Sequence, residues 1–264
     1  MLRRYSAFFL LLLVTTTGCG VSSHMLTAER EVVAPKRPIV MRTFLSPTSR
    51  AAHRPTPDPR VPRLDLNDSP EVQRELSSYT SKHRPFITDG LSRGERYLGL
   101  IETVFLRHQV PLELAAVAHV ESRFISTARS PSGAVGMWQF MKSSARHFGL
   151  QVGKRRDDRT DVGKSTEAAA RYLKELYQKF DDWQLALAAY NGGPARVQKA
   201  IDRCGTKDVF ALGPCGLRQE TLRFVAKVIA IAFITRSPDL YGFESDLDPA
   251  LLRLLKLRTE RSLP

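Results

Sequence analysis

An all-α domain carried behind a signal peptide and a proline-rich tether is the fold this sequence predicts. Three observations carry that expectation. From about Leu91 onward, apolar residues recur at helical spacing almost without interruption. No alternating apolar and polar run exceeds four residues. Eight of the sixteen prolines fall between Pro35 and Pro70, with no helical period among them. At about 150 residues per domain, 264 residues would fill one large domain or two small ones, and the tether brings the expectation to one. The expected plan is a signal peptide over residues 1–19, a tether with a short helical lead-in over 20–90, one helical domain over 91–235 and a helical tail over 236–264.

The N-terminus has the three parts of an export signal. Arg3 and Arg4 precede an unbroken apolar run from Ala7 to Val14, and small polar residues lead from Thr15 to Gly18. The run is about half the length a membrane-crossing helix needs. Cys19 after Gly18 resembles a bacterial lipobox, in which the cysteine is lipidated. Thr16 stands where a leucine is usual, so simple cleavage nearby is the alternative.

Ser69 to Tyr79 reads as a short helix, with Ser69 as cap and Pro70 in the first turn. Tyr97, Ile101, Val104, Phe105 and His108 keep one helical face. Leu112 to Val120 is apolar nearly all round and predicts one buried helix. Helices over Asp161 to Phe180, Asp182 to Tyr190, Pro194 to Ile201 and Gln219 to Thr235 follow. Turns at Ser130 to Gly133 and at Gly192-Gly193 separate them. Asp248 to Arg258 predicts a last amphipathic helix that packs on the domain. Cys204 and Cys215, in an exported chain, read as a disulfide worth on the order of 3 kcal/mol in the chain-entropy view.

The net charge of +13 favours a polyanionic partner, and +8 of it falls on residues 91–235. No single run dominates, so the basic character is a diffuse surface and not a nucleic-acid arm. The six histidines show no zinc spacing and no glycine-rich phosphate loop occurs, so neither metal nor cofactor is expected.

One glutamate stands apart. Glu121 shares a helix face with Leu114, Val117 and Ala118. A carboxyl on an apolar face is costly to ionise, so its pKa should rise toward that of a general acid. Pairing with Arg123 or Arg129 is the bland alternative.

The segments around and after it carry a resemblance. Glu121-Ser122-Arg123-Phe124, the run from Ala128 through Gly136-Met137-Trp138-Gln139 to Met141, and Ala189-Tyr190-Asn191-Gly192-Gly193-Pro194-Ala195-Arg196-Val197 resemble the family 1 lytic transglycosylases of peptidoglycan. The likeness covers about residues 95 to 235. Gly136 to Gln139, the Arg- and Asp-rich stretch from Arg155 to Val162 and Gln219-Glu220-Thr221 look most like the membrane-bound D-type enzymes. It implies a lysozyme-like helical fold and cleavage of the MurNAc-GlcNAc bond into 1,6-anhydromuramyl products, with Glu121 as acid and then base. It also implies substrate contacts through Ser122, Gln139, Tyr190 and Asn191, and an apolar wall from Met137 and Trp138, which as lone residues would more often be core. Phe224 departs from the tyrosine usual at its position. The wall-binding modules usual in D-type relatives are not read after Thr235, so affinity is expected from the cleft, the basic surface or the tether.

The expected partners are glycan strands and a membrane reached through Cys19, with no nucleic acid, and the chain is expected as a monomer in the periplasm on the outer membrane. A hydrolytic muramidase is the same-class rival. It would need a second carboxylate to hold water, and Asp157, Asp158 and Asp161 are the nearest in sequence. A non-catalytic wall-binding lipoprotein is the rival from another class.

Overall fold

The computed structural model describes residues 64, 66 and 69–262, with side chains as far as Lys256. The signal peptide, Cys19 and nearly all of the tether lie outside the described residues. Those described are helical, with isolated β-bridges and no strand. The helices are α1 Pro70–Thr80, α2 Arg84–His108, α3 Ala116–Ser122, α4 Lys142–His147, α5 Val162–Phe180, α6 Trp183–Gly192, α7 Pro194–Cys204, α8 Gln219–Arg236 and α9 Pro249–Ser262.

Side-chain caps set several of the starts. Ser69 accepts from the Val72 amide, Asp161 from that of Lys164 and Asp182 from that of Leu185. α2 begins at Arg84, with Pro85 in its first turn, so the boundary expected at residue 91 falls inside it. The single helix expected over Leu112 to Val120 is divided. After Pro111 the chain takes a tighter 3₁₀ turn over Leu112–Ala115 before α3 starts. α4 was not foreseen, because six residues rich in Lys, Ser, Arg and His show no apolar period.

α8 is the central element. Val225, Val228, Ile229, Ala230, Ile231, Ala232 and Ile234 are fully buried, and α1, α3, α6 and α9 all pack on it. At full burial, each aliphatic side chain contributes about 1.5–3 kcal/mol. The lead-in helix and the tail helix therefore belong to the same core as residues 91–235. Cys204, at the end of α7, is bonded to Cys215, with their Cα atoms 5.8 Å apart.

Two glycines on α2 let α3 approach. A Cβ at Gly90 would lie 2.1 Å from His119 Nε2, and one at Gly94 would lie 2.5 Å from the Phe124 ring. His119 cannot retreat easily. It is fully buried between the edges of Phe86 and Phe124, with Nε2 3.2 Å from the Ile87 carbonyl. Alanine for glycine inside a helix ordinarily gains about 1 kcal/mol. Here overpacking reverses the sign, so Gly90→Ala is expected to destabilise by about 1–3 kcal/mol. Denaturant unfolding of the variant checks this, and a gain in stability would mean that His119 yields.

Candidate active site

Glu121 lies in the last turn of α3, whose residues Ala116 to His119 are all buried. The helix ends abruptly. Arg123 and Phe124 both take left-handed backbone angles, φ 51° and 59°, and their amides close on the carbonyls of His119 and Ala118. Phe124 turns inward against His119 and over Gly94, which anchors the end of the helix. Arg93 Nη1 donates to the Arg123 carbonyl at 2.8 Å, satisfying a group that no helix can serve.

The Glu121 side chain remains partly accessible, yet its surroundings are apolar enough that desolvation raises the carboxyl from its ordinary 4.5 to about 8. Among the described residues, it has no hydrogen bond or ion pair. Arg123, one of the pairing candidates, instead sits 5.8 Å over the Phe86 ring. The charge of Arg129 acts on Asp157.

The segment from Ala128 to Met141 forms the opposite wall. Ser122 Oγ donates to the Met137 carbonyl at 2.8 Å, and Tyr190 Oη donates to the Trp138 carbonyl at 2.7 Å. Trp138 Nε1 donates to Thr166 Oγ1 on α5 at 3.0 Å. The apolar wall expected of Met137 and Trp138 does not form. Both are 0% exposed, because Gly136, at φ 89°, turns the chain inward so closely that a Cβ there would meet the Arg159 carbonyl at 1.9 Å. Gln139 follows, half-buried at φ 49°. Its Nε2 donates to the Gly136 carbonyl at 2.8 Å and to the Ala128 carbonyl at 3.4 Å, which engages both N–H groups and leaves Oε1 as the group it can offer a ligand.

Tyr190 faces the same space from α6. Burial, and then the Glu121 charge, push its phenol well above the ordinary value, so the two groups are within electrostatic reach. The single phenolic proton already goes to Trp138, so only lone pairs remain for Glu121. Asn191 is exposed at the end of α6, and its Oδ1 accepts from Thr221 Oγ1 at 2.9 Å. Phe224 is 6% exposed on α8 and brings no hydroxyl.

The three aspartates that could hold water are otherwise engaged. Asp157 forms a two-pronged pair with Arg159, at 2.9 and 2.8 Å. Asp158 accepts from Arg156, Lys164 and the Gln151 amide, and Asp161 caps α5. The Arg159 pairing holds Asp157 below the usual carboxylate range, and Arg156 does the same for Asp158. Arg159 is a loop-closing residue that the sequence pattern does not single out. Its guanidinium is 7% exposed and donates to the carbonyls of Gly133 and Phe140, closing the loop from both ends. Among the described residues, no group of three or more His, Cys, Asp or Glu could hold a metal. An apolar cavity of about 50 Å³, lined by Leu91, Leu112, His119, Phe124, Ile231 and Leu255 among others, lies behind α3 and does not include Glu121.

The raised Glu121 pKa has a stability consequence with a definite sign. Folded and unfolded chains are both protonated there below about pH 4.5; above it the unfolded chain releases the proton first, so the folded state loses stability up to about pH 8. Glu121→Gln avoids that loss. The variant is expected to match the wild type near pH 4 and to exceed it by on the order of 5 kcal/mol at pH 9. Denaturant unfolding at both pH values checks this, and equal stability at pH 9 would contradict the desolvated carboxyl.

The Transglycosylase SLT domain family matches residues 106–212. Membrane-bound lytic murein transglycosylase D of Escherichia coli (strain K12) is 32% identical over 185 residues, which cover 68% of this chain and 40% of that protein. A protein of Alteromonas sp. (strain M-1) named for tributyltin chloride resistance is 38% identical over 117 residues, covering 44% of this chain and 56% of its own. The crystal structure of the 70 kDa soluble lytic transglycosylase of Escherichia coli aligns at 20% identity with a TM-score of 0.45, over 73% of this chain and 39% of that one. The chain thus spans well under two thirds of the length of each.

Proposed function

This chain belongs to the family 1 lytic transglycosylases, and on that premise we propose that it cleaves the β-1,4 bond between N-acetylmuramic acid and N-acetylglucosamine in peptidoglycan without water. The observation that carries the reading is a single desolvated carboxyl, Glu121, with a pKa of about 8, while Asp157, Asp158 and Asp161 are each held by other partners. At neutral pH it holds the proton that the reaction needs. Glu121 gives that proton to the oxygen linking the two sugars as the bond from that oxygen to muramic C1 breaks. The resulting carboxylate takes the proton of the muramic C6 hydroxyl, whose oxygen closes on C1. The ring formed is a 1,6-anhydro sugar, and Glu121 ends protonated as it began.

Each neighbour has a part. Tyr190, fixed by its bond to the Trp138 carbonyl, sets a phenol within electrostatic reach of Glu121, and Ser122 ties the end of α3 to the opposing loop through the Met137 carbonyl. Gln139 and Asn191 offer an acceptor and a donor to sugar substituents. A hydrolase on the same fold would need a carboxylate to hold water. The engagement of Asp157, Asp158 and Asp161 supports the waterless route over that one.

The same reading places the enzyme in the bacterial cell envelope as a monomer working on glycan strands. Among the described residues, no helix is long and apolar enough to cross a membrane. Acyl chains on Cys19 would supply the anchor, on the outer membrane, with the proline-rich segment from Pro35 to Pro70 as the arm. The whole tether from residue 20 to about 70, about 50 residues at roughly 3.1 Å each, would reach on the order of 150 Å if extended.

Digestion of purified sacculi tests the chemistry. Anhydromuramyl products one water lighter than hydrolytic ones are expected, and hydrolytic masses would assign a muramidase. Glu121→Gln should fold and lose at least roughly a hundredfold in turnover; near-normal turnover would remove Glu121 from the mechanism. Cys19→Ala should release the protein from membrane fractions with the activity of the purified enzyme unchanged, and membrane fractionation that survives would point to another anchor.

A further inference from the structure

Of the threonines in these helices, Thr221 uses its hydroxyl in an unusual direction. Thr80, Thr88, Thr103 and Thr235 each donate back to the carbonyl four residues earlier in their own helix. Thr221 is the third residue of α8, so the carbonyl four residues before it, that of Leu217, lies outside the helix. Its hydroxyl crosses instead to α6 and donates to Asn191 Oδ1 at 2.9 Å. The residue is 1% exposed, so water does not compete for that hydroxyl. Gly192 makes the crossing possible, since a Cβ there would already sit 2.9 Å from the Thr221 oxygen.

The consequence lies in the polarity of Asn191. The terminal torsion of an asparagine is broad and nearly two-fold, so a free amide presents its oxygen or its NH₂ with similar ease. With Oδ1 bonded to Thr221, the NH₂ offers a ligand two donors, and Oδ1 keeps one lone pair. We infer that Thr221 is the positioning residue that holds the Asn191 amide in one orientation with its NH₂ available to donate, so that this edge of the site favours a sugar substituent with a carbonyl acceptor, such as the acetamido group. The inference rests on the glycan-cleaving reading for the identity of the ligand. Thr221 itself touches no substrate.

A double-mutant cycle tests it. Thr221→Val keeps the shape and removes the hydroxyl, and one oriented hydrogen bond corresponds to roughly a fivefold rise in KM with kcat within about twofold. Thr221→Ser, which keeps the hydroxyl, should restore KM. In an Asn191→Ala background, Thr221→Val should have no further effect, because no amide remains to orient. A KM rise of equal size in that background, or a valine variant indistinguishable from wild type, would overturn the inference. The same cycle read on the Kd of N-acetylated glycan fragments, with the Glu121→Gln protein, needs no turnover. It therefore decides the role of Thr221 even if Glu121 proves to have none. The serine variant separates loss of the hydroxyl from poor folding of the valine variant.

Discussion

Two consecutive peptide carbonyls, those of Met137 and Trp138, are where the molecule is tied together. Ser122 from α3 takes the first, Tyr190 from α6 takes the second, and the indole of the same tryptophan reaches Thr166 on α5. Its ring also packs against Phe105 on α2, 5.7 Å between centroids. Four helices thus refer their positions to one buried dipeptide. A helix end, a loop and a phenol can converge on one carboxyl because none of them can shift without breaking a bond that has no water to replace it.

The electrostatics follow from where hydrogen-bond donors are spent. Arg159, Arg156 and Lys164 are turned toward Asp157 and Asp158, and those carboxylates are held ionised. Glu121 receives none of these donors, and desolvation leaves it holding its proton at neutral pH. The arrangement also asks little of Phe224, since Tyr190 already supplies a phenol to the site.

Much of this was legible in the chain. The apolar residues three, four and seven positions before Glu121 mark it as a carboxyl on a buried face, and Asp161 and Asp182 mark where α5 and α6 begin. The order of the three motifs indicated which side chains would meet. What stayed hidden was of two kinds. Burial of Met137 and Trp138 depends on a left-handed glycine meeting the Arg159 carbonyl, a contact between distant residues that leaves no periodic trace. Thr221 and Asn191, thirty positions apart, likewise share a hydrogen bond that neither local sequence announces. The division of Leu112 to Val120 into a 3₁₀ turn and a helix escaped because both conformations bury the same apolar residues.

The bond between Cys204 and Cys215 acts on this geometry from a distance. It lies in the stretch of chain that separates Asn191 from Thr221. A cross-link there shortens the path along the covalent chain between the two ends of that hydrogen bond, which raises the effective concentration of one partner about the other before either helix has packed. The oxidised loop in this sense narrows, in the unfolded chain, the search by which Asn191 and Thr221 find one another.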